Sequence, residues 1–237
     1  MQTQLLLVSN STVFGRGYLD HVAEELRELL RGVRRVLFVP YALFDMDAYA
    51  AKARARFAAL GIALDSIHDV APERRPAAVQ QAEALFIGGG NTFRLLNALY
   101  CDDLLVPIRE RFAQGMPYVG SSAGANVAGP TIKTTKDMPI VQPPSFDALG
   151  LFPFQISPHF LDPDPNSRHM GETQEERIIQ FLEENTTPVV GLREGSWIVQ
   201  CGEVAELRGP LPARTFRRGR DPFEAAPGTD LVRLLRS

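Results

Sequence analysis

Residues 84–92 read Ala-Leu-Phe-Ile-Gly-Gly-Gly-Asn-Thr. Four unbroken apolar residues run into three glycines, and helical spacing follows from Thr92 to about Gln114. A strand that is apolar on both faces is buried on both, the condition of a parallel sheet with helices above and below. The same unit recurs on either side. Upstream, Leu5–Val8 (LLLV) and Val36–Val39 (VLFV) are apolar runs, and Ile62–Ile67 is a weaker third. Between them His21–Leu30 and Asp47–Leu60 carry helical spacing, with Val22, Leu26, Leu29 and Leu30 on one face. Downstream, Tyr118-Val119 enters Gly120. Strands alternating with helices predict an α/β fold: a doubly wound, mostly parallel, flavodoxin-like sheet.

The pattern changes after Pro130. Residues 137–147 are Pro-rich and read as a loop, Leu151–Ile156 as a strand, and Gly171–Glu184 as a helix with Ile178, Phe181 and Leu182 inward. Val189–Leu192, Ser196–Gln200 and Val204–Leu207 read as strands, and Gly195 and Gly202 suggest hairpins between them. With no linker or repeat, residues 1–237 are expected to form a single domain.

The net charge of −3 gives no electrostatic reason to expect nucleic acid or an anionic membrane as partner. No apolar run reaches the ~18 residues of a membrane span, and residues 1–17 lack the features of a signal peptide, so the cytoplasm is the expected compartment. Cys101 and Cys201 match neither a zinc site nor a CxxC pair and are expected to be reduced thiols. Nothing calls for a metal or other cofactor.

The sharpest local signal is Gly120-Ser121-Ser122-Ala123-Gly124, a G-x-S-x-G match between an apolar strand and a helix. Such a turn lifts the Ser122 hydroxyl above the sheet and presents N–H groups at a helix start, where developing negative charge is favoured. The plain alternative is a Gly/Ser turn without chemistry. A serine nucleophile needs a base. Of His21, His68, His159 and His169, His159 follows a strand-like run and lies where open α/β sheets place their sites; His169 is the second choice. Asp137 or Glu194 is the expected carboxylate partner of the imidazole, each otherwise a solvated loop residue. Gly90, in the triple-glycine loop, and Ala123 offer backbone N–H groups for an oxyanion hole; an anion-binding loop or a tight turn is the alternative use of those glycines.

Five segments, IGGGNTFRLL (87–96), GSSAGANVAGPTIKTTKDMPI (120–140), SPHF (157–160), GETQEERI (171–178) and LREGSW (192–197), resemble the peptidase E group of aspartyl dipeptidases among the cyanophycinase-like serine peptidases. The resemblance runs from the first strand to about Leu207. It implies a fold like the class I glutamine amidotransferases, with serine at their elbow cysteine, and hydrolysis of dipeptides with an N-terminal aspartate. It implies Ser122 as nucleophile, His159 as base, and Asp137 or Glu194 as acid, with Glu194 favoured on orientation. It also implies a bulkier residue where Ser121 stands. A cation must meet the aspartyl side chain, for which Arg168, Arg177, Arg193, Lys133 and Lys136 are candidates; Asn91, Arg177 and Arg193 are the expected substrate contacts. The expected partner is a small peptide, bound by a monomer or homodimer. A β-aspartyl or cyanophycinase-type hydrolase is the closest alternative. A non-catalytic anion-binding module is the alternative from another class. A glutaminase is disfavoured because neither cysteine stands at the elbow.

Overall fold

The computed structural model describes residues 2–164, 166, 168 and 170–236. In chain order the elements are β1 (Gln4–Val8), α1 (Ala23–Leu29), β2 (Arg35–Val39), α2 (Met46–Ala58), β3 (Ala63–Ser66), α3 (Arg75–Gln81), β4 (Ala84–Ile87), α4 (Thr92–Cys101), α5 (Leu105–Ala113), β5 (Tyr118–Ser121) and α6 (Ala123–Asn126). They continue with β6 (Gln155–Pro158), α7 (Gln174–Glu184), β7 (Val189–Leu192), β8 (Trp197–Cys201), β9 (Val204–Arg208), β10 (Ala213–Phe216), β11 (Phe223–Ala225) and α8 (Leu231–Arg236).

The larger sheet has the order β3-β2-β4-β5-β1-β8-β9. Its first five strands are parallel, and β8 and β9 close the far edge antiparallel. Alternation within the apolar runs feeds two cores. Leu5, Leu7, Leu85 and Ile87 pack with Leu95 and Ile108 on one face, while Leu6, Val8, Phe38 and Phe86 pack with Leu26 and Phe57 on the other. Helices thus cover both faces, as doubly wound patterning predicts. Among the described residues no helix is long and apolar enough to cross a membrane.

A second sheet, β11-β10-β7-β6, pairs β6 and β7 in parallel, with Pro158 opposite Leu192. The hairpin expected around Gly195 is absent. After β7 the chain turns through Arg193–Ser196 and leaves one sheet for the other, because β8 finds its partner in β1. The hairpin at Gly202 does form, between β8 and β9. The strand expected over Leu151–Ile156 begins only at Gln155 and runs to Pro158, because residues 151 and 152 turn their N–H groups to the Ala128 carbonyl.

Candidate active site

Strands β4, β5 and β1 are neighbours in the larger sheet, so their C-terminal ends form one rim. Gly88–Gly90, Ser122 and the polar run Ser9-Asn10 follow these three ends directly. At the centre, Ser122 has φ 52° and ψ −111°, a conformation L residues avoid unless the surroundings impose it. Here they do. A Cβ on Gly124 would lie 2.1 Å from the Ile87 carbonyl oxygen, and one on Gly120 would lie 2.4 Å from the Gly124 carbonyl oxygen. The buried Tyr118 hydroxyl donates to that same Gly124 oxygen at 2.6 Å. The Ser122 N–H donates to the Val8 carbonyl at 2.9 Å, tying the turn to β1.

The imidazole arrives from the second sheet. His159 follows β6 with φ 52°, and its Nε2 lies 2.8 Å from Ser122 Oγ. Its Nδ1 lies 2.6 Å from Glu194 Oε1, just past β7. The parallel register that sets Pro158 opposite Leu192 delivers both side chains to one place. An ionised carboxylate only accepts, so Glu194 keeps the proton on Nδ1 and leaves the Nε2 lone pair facing the Ser122 hydroxyl.

Asp137 is elsewhere. Its carboxylate accepts from Thr92 N–H at 2.7 Å, at the start of α4, where the helix dipole favours an anion. Asn91 caps the same helix, its Oδ1 accepting from Arg94 N–H, and its amide donates to the Met138 carbonyl. Arg193 is held in ion pairs with Glu224 and Asp162, which raise its pKa, and it also donates to the Pro212 carbonyl, so its guanidinium nitrogens are all engaged by these partners. Arg177 pairs with Glu172 on the exposed side of α7. Lys133 faces Asn185. His21 packs edge-on against Trp197, and His68 contacts Asp47 and Asp69, both remote from Ser122 in the network. His169 lies outside the described residues.

Of the two expected backbone donors, Ala123 adjoins Ser122 in the chain and Gly90 lines the same cavity as Ser122. Ala123 is the first residue of α6, so its N–H has no intrahelical acceptor. Gly90, with φ 137°, approaches so closely that an added Cβ would meet the Ala42 carbonyl oxygen at 2.5 Å. The neighbouring Gly89 N–H is engaged, donating to the Tyr49 hydroxyl at 2.8 Å.

Several contributors escaped the sequence reading. Ser9 Oγ accepts from His159 N–H at 2.9 Å and donates to the Leu192 carbonyl at 2.8 Å, bridging the two sheets. Asn10 Oδ1 accepts from Gly195 N–H at 2.8 Å and so fixes the turn carrying Glu194. Polar residues immediately after an apolar parallel strand are the signal that could have found them. A cavity of about 510 Å³ opens over the site, lined by Ser122, His159, Gly89, Gly90, Tyr49 and Lys52 among others. Lys52 comes from α2 and lies 4.7 Å from the Tyr18 ring centre.

The profile of peptidase family S51 matches residues 5–208. The chain belongs to peptidase family S51. It is 52% identical over 231 residues to a peptidase E of Streptomyces coelicolor, covering 98% of this chain and 94% of that protein. It is 49% identical over 234 residues to a probable alpha-aspartyl dipeptidase of Drosophila melanogaster, covering 98% and 97%. In fold this S51 member resembles the crystal structure of a peptidase from an acI-B1 actinobacterium, with a TM-score of 0.72 at 18% identity over 97% of this chain and 96% of that one. A putative peptidase E from Listeria monocytogenes superposes with a TM-score of 0.67 at 22% identity, over 89% and 100%.

Proposed function

We propose that this protein is a serine exopeptidase that hydrolyses dipeptides with an N-terminal aspartate, Asp-X. The observation that carries the reading is the relay of 2.8 Å from Ser122 Oγ to His159 Nε2 and 2.6 Å from His159 Nδ1 to Glu194 Oε1. The relatives named peptidase E and probable alpha-aspartyl dipeptidase support the substrate class.

In this mechanism Ser122 Oγ attacks the aspartyl carbonyl carbon while its proton passes to His159 Nε2. Glu194 stabilises the imidazolium, and the N–H groups of Gly90 and Ala123 hold the oxyanion. His159 returns the proton to the leaving amine, so the peptide bond breaks and an acyl-enzyme remains on Ser122. Water, deprotonated by His159, then releases aspartate. Lys52 is a cation on the cavity wall and receives a carboxylate of the substrate. Each group named comes from one chain, so a monomer suffices, and a homodimer is equally compatible. Cys101 and Cys201 are free, exposed thiols, which fits work in the reducing cytoplasm.

A panel of α-Asp-X, β-Asp-X and Glu-X dipeptides tests the proposal. Turnover confined to α-Asp-X is expected. Preference for β-Asp-X would replace it with an isoaspartyl hydrolase, and absence of both turnover and fluorophosphonate labelling would replace it with a binding module.

A further inference from the structure

The backbone that carries the imidazole is clamped from four directions. His159 N–H donates to Ser9 Oγ, and Phe160 N–H donates to the Leu192 carbonyl at 3.1 Å. Leu161 N–H donates to Gln174 Oε1 at 2.9 Å. The fourth hold is Lys136. Its Nζ donates to the Pro158 carbonyl at 2.5 Å, to the His159 carbonyl at 2.9 Å and to Gln174 Oε1 at 3.1 Å. An ammonium has three N–H donors and no acceptor, so three oxygens match it fully.

This lysine is unusual in what it leaves unpaired. Among the described residues no carboxylate lies within ion-pair distance of Nζ. The charged groups nearest in influence are Asp137, Glu194 and Arg177. Asp137 is engaged at the start of α4, Glu194 on His159, and Arg177 with Glu172. Lys136 is an exposed residue, but its ammonium donates to backbone carbonyl oxygens. Desolvation lowers its pKa to about 8, against the pull of Asp137 and Glu194. It lines a small cleft of about 70 Å³ beside α7, separate from the cavity over Ser122, and so touches neither substrate nor the reacting atoms.

We propose that Lys136 is a positioning residue. Its ammonium ties the Pro158 and His159 carbonyls to Gln174 at the head of α7, and so holds His159 at φ 52° with its imidazole in reach of Ser122. A non-glycine residue in that region persists only where its surroundings over-determine it. The inference rests on reading Ser122 and His159 as nucleophile and base.

The test compares wild type, Lys136→Met and Lys136→Arg by kcat and KM on Asp-Leu, by the rate of fluorophosphonate labelling of Ser122, and by thermal unfolding. For Lys136→Met we expect kcat and labelling rate to fall together by about 10²-fold, the scale of a small misplacement of a reacting group, with KM and the folded state intact. Lys136→Arg, which keeps charge and donors, is expected to recover part of the loss. Wild-type kcat and labelling in Lys136→Met would overturn the proposal, as would a loss confined to KM or one explained by unfolding in both variants. A wild type inert to dipeptide and probe alike would instead sink the nucleophile reading, and this inference with it.

Discussion

Ser122 and His159 share a backbone angle, φ 52°, but are held there by opposite means. The serine turn is fixed by what cannot fit. Glycines at 120 and 124 stand where any side chain would collide with backbone oxygens, one inside the turn at Gly124 and one at the end of the neighbouring strand at Ile87. The histidine turn is fixed by what reaches it from afar: Ser9 at 150 residues' separation, Lys136 at 23, and a carboxylate at 35. Steric restraint is local and directional. Hydrogen-bonded restraint is distributed, and each member can be removed singly.

Removing the nucleophile gives the largest effect: Ser122→Ala should lower kcat/KM for Asp-Leu by on the order of 10⁴-fold or more, measured by steady-state kinetics. Next comes the orienting carboxylate. Glu194→Ala should cost roughly 10³- to 10⁴-fold, the scale of a lost imidazole partner, and clearly more than Asp137→Ala. A larger loss at Asp137 would break the assignment of roles. Asp137→Ala should instead show itself in thermal melts, at about 1 kcal/mol for a lost helix-start acceptor.

Gly124→Ala probes the steric side of the comparison. The added methyl must move the elbow, at a cost of roughly 1–3 kcal/mol for overpacking, and activity should fall with stability. Ser9→Ala probes the other side. It should slow kcat by about tenfold, the scale of one hydrogen bond near 1.4 kcal/mol, with little change in KM.

The smallest effect is a pH dependence. With Lys136 near 8, kcat should decline as pH rises through that value, because the neutral amine keeps two donors for three acceptors. Stability should move the other way. The folded-state pKa lies below the unfolded value of 10.5, so between about 8 and 10.5 the unfolded chain binds more protons and this group's contribution favours folding as pH rises. In Lys136→Met both trends should vanish.

The same contrast explains what could be read from the chain alone. The apolar runs at 5–8, 36–39 and 84–87 announced buried parallel strands, and the G-x-S-x-G segment announced its own turn, because periodicity and steric demand are local properties. The second sheet was less legible. β10 and β11 are short and mixed in polarity, and the chain crosses between sheets at Arg193–Ser196, where a glycine-centred turn looks the same as a hairpin. Lys52 was invisible as a wall of the cavity because α2 reaches the site only through the winding of the sheet. Arg193 looked available because its partners, Asp162 and Glu224, lie 31 residues away on either side.

The crossing between the sheets has a mechanical corollary. Ser122 rides on one sheet while His159 and Glu194 ride on the ends of β6 and β7 in the other, and Ser9 is a rivet between them. A slide of about an ångström at that seam would open the gap between hydroxyl and imidazole while leaving every strand paired. Catalytic competence should therefore report on the docking of two layers, and mild denaturant should silence the enzyme before its circular dichroism changes.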